Sequence, residues 1–285
     1  METSSLARRL STRFVAGDTL DQALNVGRDL NSEGISLTLD HLGESVTSLE
    51  EAAQARDVYL RALAAIQQTG VRANVSLKLT QFGLDLSAAD CRANVEQLVQ
   101  QAAAANSFVR VDMESSDYTD RTLDLVHDLH ARHKAVGVVI QAYLYRSRKD
   151  VEELCRRAIR VRLCKGAYLE PPGVAFPRKR DVDRNFVELM KLLLDRGDYP
   201  AIATHHEALI EETKSYAASK KVARDAFEFQ MLYGIRRDLQ RKLIREGYRL
   251  RLYVPFGQAW YPYYMRRLAE RPANVLFILR NLLRK

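Results

Sequence analysis

Residues 74–113 read NVSLKLTQFGLDLSAADCRANVEQLVQQAAAANSFVRVDM. Two short β-rich runs, Asn74–Leu79 and Phe108–Met113, flank the segment Ala88–Ala105. Apolar residues in that segment recur every three or four positions, which is the helical period. A strand, a helix and a second strand in about 40 residues is the unit that builds parallel sheets. The alternation continues in both directions. Upstream, Ile35–Asp40 (ISLTLD) precedes the amphipathic stretch Leu49–Gln68. Downstream lie Gly137–Tyr143 (GVVIQAY), Arg160–Cys164 (RVRLC), Ala201–Thr204 (AIAT), Ala226–Gln230 (AFEFQ) and Leu250–Val254 (LRLYV). The first and eighth runs begin at Ile35 and Leu250, a repeat of about 31 residues. Eight such units in roughly 250 residues predict an α/β fold, a (β/α)8 TIM-like barrel. An open doubly wound sheet is the alternative, and it should carry a Gly-rich phosphate loop after an early strand. Neither G-x-G-x-x-G nor G-x-x-x-x-G-K-[ST] occurs. Residues 1–34 are expected to form a short helical extension with Gly34 as its stop. No Gly/Ser- or Pro-rich linker follows, so 1–285 is expected to be one domain, with barrel and closing C-terminal helix over 35–285.

Composition narrows the class. Hydrophobic residues at 47% and charged residues at 28% fit an ordinary globular chain and exclude disorder and collagen-like arrays. A formal charge of +8 favours anionic partners without choosing among them. The three cysteines, Cys91, Cys155 and Cys164, form no Cys-x-x-Cys. A reducing, cytoplasmic setting is therefore expected, with no thiolate metal site. Met1–Leu20 has no apolar signal core, and no apolar run reaches the roughly 18 residues of a membrane helix. The expectation is a soluble protein, at most peripheral to the inner membrane.

Reactive side chains gather at the strand ends. Strand 1 runs into His41-Leu42-Gly43-Glu44, strand 2 holds Lys78, strand 3 carries Asp112 and Glu114, and strand 4 holds Gln141. Strand 5 is flanked by Arg162 and Lys165, strand 6 leads to Thr204-His205-His206, strand 7 carries Glu228 and Gln230, and strand 8 carries Tyr253. In a (β/α)8 barrel these converge on the C-terminal face, where active sites sit. Simple solvation of strand ends is the competing reading, but charged residues inside a β-run are costly unless partnered. Lys78 in VSLKL is either a buried lysine neutralised by Asp112 or Glu114, or a functional one, a Schiff-base lysine or, the favoured reading, an anchor for an anionic substrate. Adjacent His205 and His206 would point to opposite faces of a strand, which disfavours a shared metal ion. On a helix opened by Pro262, Tyr263, Arg266, Arg267 and Glu270 share one face. Two guanidiniums near a helix start suit a carboxylate or phosphate, and an Arg266–Glu270 surface pair is the alternative.

These motifs resemble a family. SLKLTQFG around Lys78, VVIQAY around Gln141, RLCKGAY from Arg162, ATHH from Ala203, FEFQMLYG from Phe227, RLYVPFG from Arg251 and YYMRRLAE from Tyr263 resemble the FAD-dependent proline dehydrogenases. Order and spacing are compatible over Ile35–Asn274, and the length resembles the monofunctional bacterial enzymes. The resemblance implies a distorted (β/α)8 barrel with FAD at the C-terminal strand ends. It implies oxidation of L-proline to Δ1-pyrroline-5-carboxylate, with hydride passing from ring C5 to flavin N5. A quinone would then reoxidise the flavin, and a downstream aldehyde dehydrogenase would take the product.

The resemblance also implies roles. Lys78, Arg266 and Arg267 would bind the proline carboxylate and fix the ring by positioning. Tyr168, Leu232, Tyr253 and Tyr263 would wall the ring, Asp112 would hold Tyr253, and Glu270 would position the paired arginines. Tyr253 would crowd the proline C4 and so favour proline over 4-hydroxyproline. Gln141 would contact the flavin, and Arg162 would stabilise charge developing near N5. Lys165, Gly166 and Ala167 would run along the FAD chain. Thr204, His205 and Gln230 would complete the site, with His206 where the family often has Asn. Glu44 would pair with Arg162 as a gate. No metal ligand set is implied.

A second class of function also fits part of the chain. The +8 charge and the stretch Arg271–Lys285 (RPANVLFILRNLLRK) would suit a basic module binding nucleic acid or an anionic membrane surface. Against nucleic acid, no helix-turn-helix, zinc-finger or RNA-binding aromatic motif is present.

Overall fold

The structure, a computed structural model, describes residues 13–260. Helix α1 (Leu20–Ser32) leads into β1 (Ser36–His41), and strand and helix then alternate. They run α2 (Leu49–Thr69), β2 (Ala73–Leu77), α3 (Ala88–Ala104), β3 (Val109–Val111), α4 (Thr119–His133), β4 (Val136–Gln141) and α5 (Ser147–Arg156). β5 (Arg160–Cys164), α6 (Lys179–Arg196), β6 (Ala201–Ala203), α7 (Glu207–Ser219), β7 (Glu228–Leu232), α8 (Arg237–Arg245) and β8 (Arg249–Phe256) complete the order. All eight strands are parallel, and β1 pairs with β8 over six residues, Ser36 with Arg251 through His41 with Phe256. That pairing closes the barrel and excludes the open sheet.

Local chemistry sets the helix ends. The Ser48 and Ser87 hydroxyls accept from the amides of Glu51 and Asp90 at the starts of α2 and α3. Thr19 and Gln22 form a reciprocal capping box on α1. Gly70, in the left-handed region at φ 68°, ends α2. Strand limits differ from expectation in one informative way. β2 stops at Leu77, so Lys78 and Leu79 leave the strand, and Leu79–Phe82 form a 3₁₀ turn. β3 stops at Val111, β4 at Gln141 and β6 at Ala203. The polar residues that extended the β-like runs therefore belong to the mouth of the barrel rather than its wall.

The wall is apolar outside and polar inside. Leu37, Leu39, Val75, Leu77, Val109 and Val111 are fully buried within one continuous hydrophobic cluster. The cluster also takes in the inner faces of the helices, including Tyr59, Leu98, Leu129, Phe186 and Leu189. The alternate strand residues, among them Thr38, Asn74, Ser76, Arg110, Arg162, Glu228 and Gln230, are buried too. They bond to one another across the bore. Thr38 donates to Asn74 at 2.7 Å, and Arg251 reaches Asn74 at 3.0 Å and Glu228 at 2.8 Å. Arg110 donates to the carbonyls of Val138 and Arg160 at 3.1 and 2.6 Å.

Gly137 on β4 makes room for that guanidinium. A Cβ there would lie 2.6 Å from the Arg160 carbonyl oxygen and 2.8 Å from Arg110 Nη1. Gly137→Ala is expected to lower the unfolding free energy by about 1–3 kcal/mol in a urea titration. Gly173→Ala, where nothing lies within 4 Å of the added carbon, should stay within about 0.5 kcal/mol of the parent. Equal stability of the two variants would contradict this account of the bore.

Candidate active site

The C-terminal ends of the strands bring most of the expected residues to one mouth. Asp112, one residue past β3, is the hub. Its Oδ1 accepts from Arg162 Nη1 at 2.8 Å and from Ser76 Oγ at 2.5 Å. Its Oδ2 accepts from the Tyr253 hydroxyl at 2.9 Å. Strands β2, β3, β5 and β8 thus meet at one carboxylate. Arg162 also donates through Nε to Gln230 Oε1 at 2.5 Å, and the Arg162 guanidinium stands 5.4 Å from the centre of the Tyr253 ring. Gln230 in turn donates to Glu228 at 2.5 Å. The chain Glu228–Gln230–Arg162–Asp112 fixes the guanidinium in place. Its remaining nitrogen, Nη2, is buried without a hydrogen-bond partner among the described residues.

Lys78 projects from the turn after β2. Its ammonium lies 3.8 Å from Asp40, 3.8 Å from Glu44 and 3.9 Å from Asp112. Burial alone would push its pKa down. The carboxylates of Asp40, Asp112 and Glu44 outweigh that and hold the ammonium above the ordinary lysine range. Glu114 lies beyond ion-pair distance of Lys78 and accepts from the Thr80 hydroxyl and amide at 2.6 and 3.2 Å; burial raises its carboxyl pKa, and the charge of Lys78 is among the groups that oppose the rise. Glu44 and Arg162, expected as a gate, form no ion pair with each other among the described residues. Glu44 faces Lys78, whereas Arg162 is committed to Asp112 and Gln230 deeper in the barrel.

Gln141 ends β4, buried, and donates to the Glu114 carbonyl at 2.8 Å. After β5, the loop carrying Lys165, Gly166, Ala167 and Tyr168 passes over Tyr143. Gly166 has φ 113°, and a Cβ there would lie 2.5 Å from the Tyr143 ring, so only glycine fits. Glu170 ties the loop down by accepting from the Ser116 amide at 2.7 Å and the Tyr143 hydroxyl at 3.3 Å. Lys165 pairs with Asp183 and stands 3.2 Å from His206 Nδ1. Thr204 is buried just past β6, and its hydroxyl accepts from the His206 amide at 3.0 Å. His205 and His206 follow the strand instead of lying within it. His205 Nε2 accepts from the Leu232 amide at 2.9 Å, which places the proton of a neutral ring on Nδ1. His206 is exposed at the start of α7. Tyr263, Arg266, Arg267 and Glu270 lie outside the described residues, as does Arg271–Lys285.

Sequence reasoning missed Asp40, Ser76, Asp183 and Arg251, and it set Glu228 at the mouth, whereas Glu228 opens β7 and pairs with Arg251 lower in the bore. Ser76 and Glu228 had a signal in the polar–apolar alternation of NVSL and FEFQ. Asp183 had none, since it comes from the second turn of α6 and reaches the mouth only through the fold.

Comparison with known proteins agrees with this geometry. The profile of the family described as proline dehydrogenase matches residues 23–280. Proline dehydrogenase 2 of Bacillus subtilis is 40% identical over 98% of this chain and 92% of its own length. The proline dehydrogenase of Deinococcus radiodurans is 39% identical over 99% of this chain and 94% of its own. Among solved structures, proline utilization A from Bdellovibrio bacteriovorus, inactivated by N-propargylglycine, superposes with a TM-score of 0.87 at 26% identity. That match covers 92% of this chain and 33% of the larger one. Enzyme, not basic binding module, is the class these matches support. A closed eight-stranded barrel, a polar mouth at its C-terminal face and relatives matched from end to end assign the chain to the proline dehydrogenase family.

Proposed function

We propose that this enzyme is a flavoprotein that oxidises L-proline to Δ1-pyrroline-5-carboxylate, using FAD as cofactor and a quinone as the final acceptor. The observation that carries the reading is Arg162, a buried guanidinium with one nitrogen lacking a partner. Buried donors are rarely left unsatisfied, and an acceptor-rich ring at the mouth would complete this one. The remaining residues fit the same group. Gln141 and Thr204 offer buried polar atoms, and the Gly166–Ala167 backbone leaves a loop free of bulk. Lys165, with His206 beside it, offers positive charge to phosphates. His205 and Gln230 complete the cradle, Gln230 by orienting Arg162. When bound, FAD supplies the acceptor for the hydride lost from the proline ring.

The chain's own residues do the rest. Lys78, with Arg266 and Arg267 from the segment beyond the described residues, takes the substrate carboxylate and sets the ring's angle. Glu270 holds the arginines. Tyr168, Leu232, Tyr253 and Tyr263 enclose the ring and exclude water. Asp112 locks Tyr253 and Arg162 in one arrangement, so neither reorganises during the reaction. The proline amine loses its proton to solvent before C5 gives up hydride. We place the enzyme in the cytoplasm, with peripheral membrane contact for quinone access and an aldehyde dehydrogenase consuming the product. Among the described residues no helix is long and apolar enough to cross a membrane.

An anaerobic visible spectrum tests the reading most directly. A flavin band that bleaches on adding L-proline is the expected result. A band untouched by proline would overturn the substrate, and a protein colourless after incubation with FAD would overturn the cofactor. The rate of flavin reduction by proline should rise from mildly acidic to alkaline pH as the amine deprotonates. Lys78, held above its ordinary pKa, keeps its charge across that window, so its loss does not cut the rise short. A flat profile would refute amine deprotonation as a requirement. Asp112→Asn deprives Arg162 of its anionic partner, and kcat/KM for proline should fall by about 10- to 100-fold. An unchanged value in stopped-flow reduction would remove Asp112 from its central role.

A further inference from the structure

Three carboxylates surround Lys78, and they are not equivalent. Asp112 is already neutralised by Arg162 at 2.8 Å and bonded to Ser76 and Tyr253. Glu44 is on a loop with its side chain about one-third exposed, at 32%, so water screens its charge. Asp40, on β1, is 1% exposed. Its one ion-pair partner among the described residues is Lys78, and its hydrogen-bond donors there are the hydroxyls of Tyr59, at 3.3 Å, and Tyr253. Oδ2 of Asp40 is buried and makes no hydrogen bond of good geometry among the described residues. A carboxylate so placed is stable as an anion only against a nearby cation. The dependence is mutual, because a desolvated ammonium tends to shed its proton. None of the three contacts to Lys78 is as short as a hydrogen bond. They supply charge and leave the ammonium's N–H groups available to a ligand.

We propose that Asp40 is a positioning residue that keeps Lys78 protonated and centred at the barrel mouth, ready for the substrate carboxylate. This rests on the reading of Lys78 as a carboxylate anchor. The groups that face Lys78 are Asp40 from β1, Glu44 from the β1–α2 loop, Asp112 from the end of β3, Tyr168 from the β5–α6 loop and, farther off, the buried Glu114. Tyr59 of α2 and Tyr253 of β8 stand behind Asp40 and Asp112, and Arg162 of β5 balances Asp112. Asp40→Asn removes the most deeply buried of the three charges within 4 Å of the ammonium.

The test follows acetylation of Lys78 in the holoenzyme by an amine-specific reagent, read by peptide mass spectrometry between pH 7 and 10. Exposed Lys149 serves as the internal reference. Wild-type Lys78 should show no rise in relative reactivity up to pH 9. In Asp40→Asn the rise should come at least one pH unit earlier, about a tenfold gain at fixed pH. The same variant should raise KM for proline more than it lowers kcat, with the increase steepening toward alkaline pH. Glu44→Gln should move the labelling profile less than Asp40→Asn. Superposable profiles of wild type and Asp40→Asn would overturn the proposal. L-Proline should protect wild-type Lys78 from labelling, and its failure to do so would overturn the anchor reading separately. Should Asp40→Asn not fold, the wild type decides. A Lys78 profile that follows Lys149 overturns the proposal, and one delayed to higher pH supports it.

Discussion

One carboxylate, that of Asp112, holds the mouth of the barrel together. It accepts from a hydroxyl on β2, a guanidinium on β5 and a phenol on β8. Neutral hydrogen bonds contribute about 1 kcal/mol each, and those to a charged group roughly 1.5–3 kcal/mol. The geometric effect is larger than the sum suggests. Arg162 and Tyr253 cannot shift independently, because both are tied to atoms of the same rigid group. A site built on such a hub is preorganised by strands rather than loops, and orientation is then settled before the substrate arrives.

The hub is part of a larger inversion. Bulky branched side chains dominate the interior of many barrels of this class. Here the bore is filled by Asn74, Arg110, Glu228, Gln230 and Arg251, and the apolar packing lies between strands and helices. The polar layer survives burial because its members satisfy one another, as the chain from Asn74 through Arg251, Glu228 and Gln230 to Arg162 illustrates. The layer also directs charge upward. A guanidinium held through Nε by Gln230 and through Nη1 by Asp112 leaves only its last nitrogen for a ligand.

Much of this was legible in the sequence, for identifiable reasons. Parallel strands in a barrel are short, regularly spaced and separated by helices with clear periodicity, so GVVIQAY, RVRLC and LRLYV marked their own places. Strand ends were less legible, because Lys78 and Asp112 extend a β-like pattern that the backbone abandons at Leu77 and Val111. Pairing was least legible. Glu44 and Arg162 stood out as charged residues, but which faced which depends on depth in the bore, and depth has no local signature. Asp40 escaped notice for the opposite reason. One acid at the end of ISLTLD looks like a solvated strand terminus until the fold buries it against Lys78.

The division between an apolar annulus and a polar bore has a thermodynamic corollary. The heat-capacity increment of unfolding comes from newly hydrated apolar surface, and polar exposure opposes it. In this barrel the annulus supplies nearly all of the first, and the bore supplies much of the second. The curvature of stability with temperature is a balance struck between the two regions of one wall. The bore also carries an acid dependence: burial would raise the carboxyl of Glu228, but Arg251 holds it below its ordinary range, so the stability it lends is lost as pH falls through that lowered value.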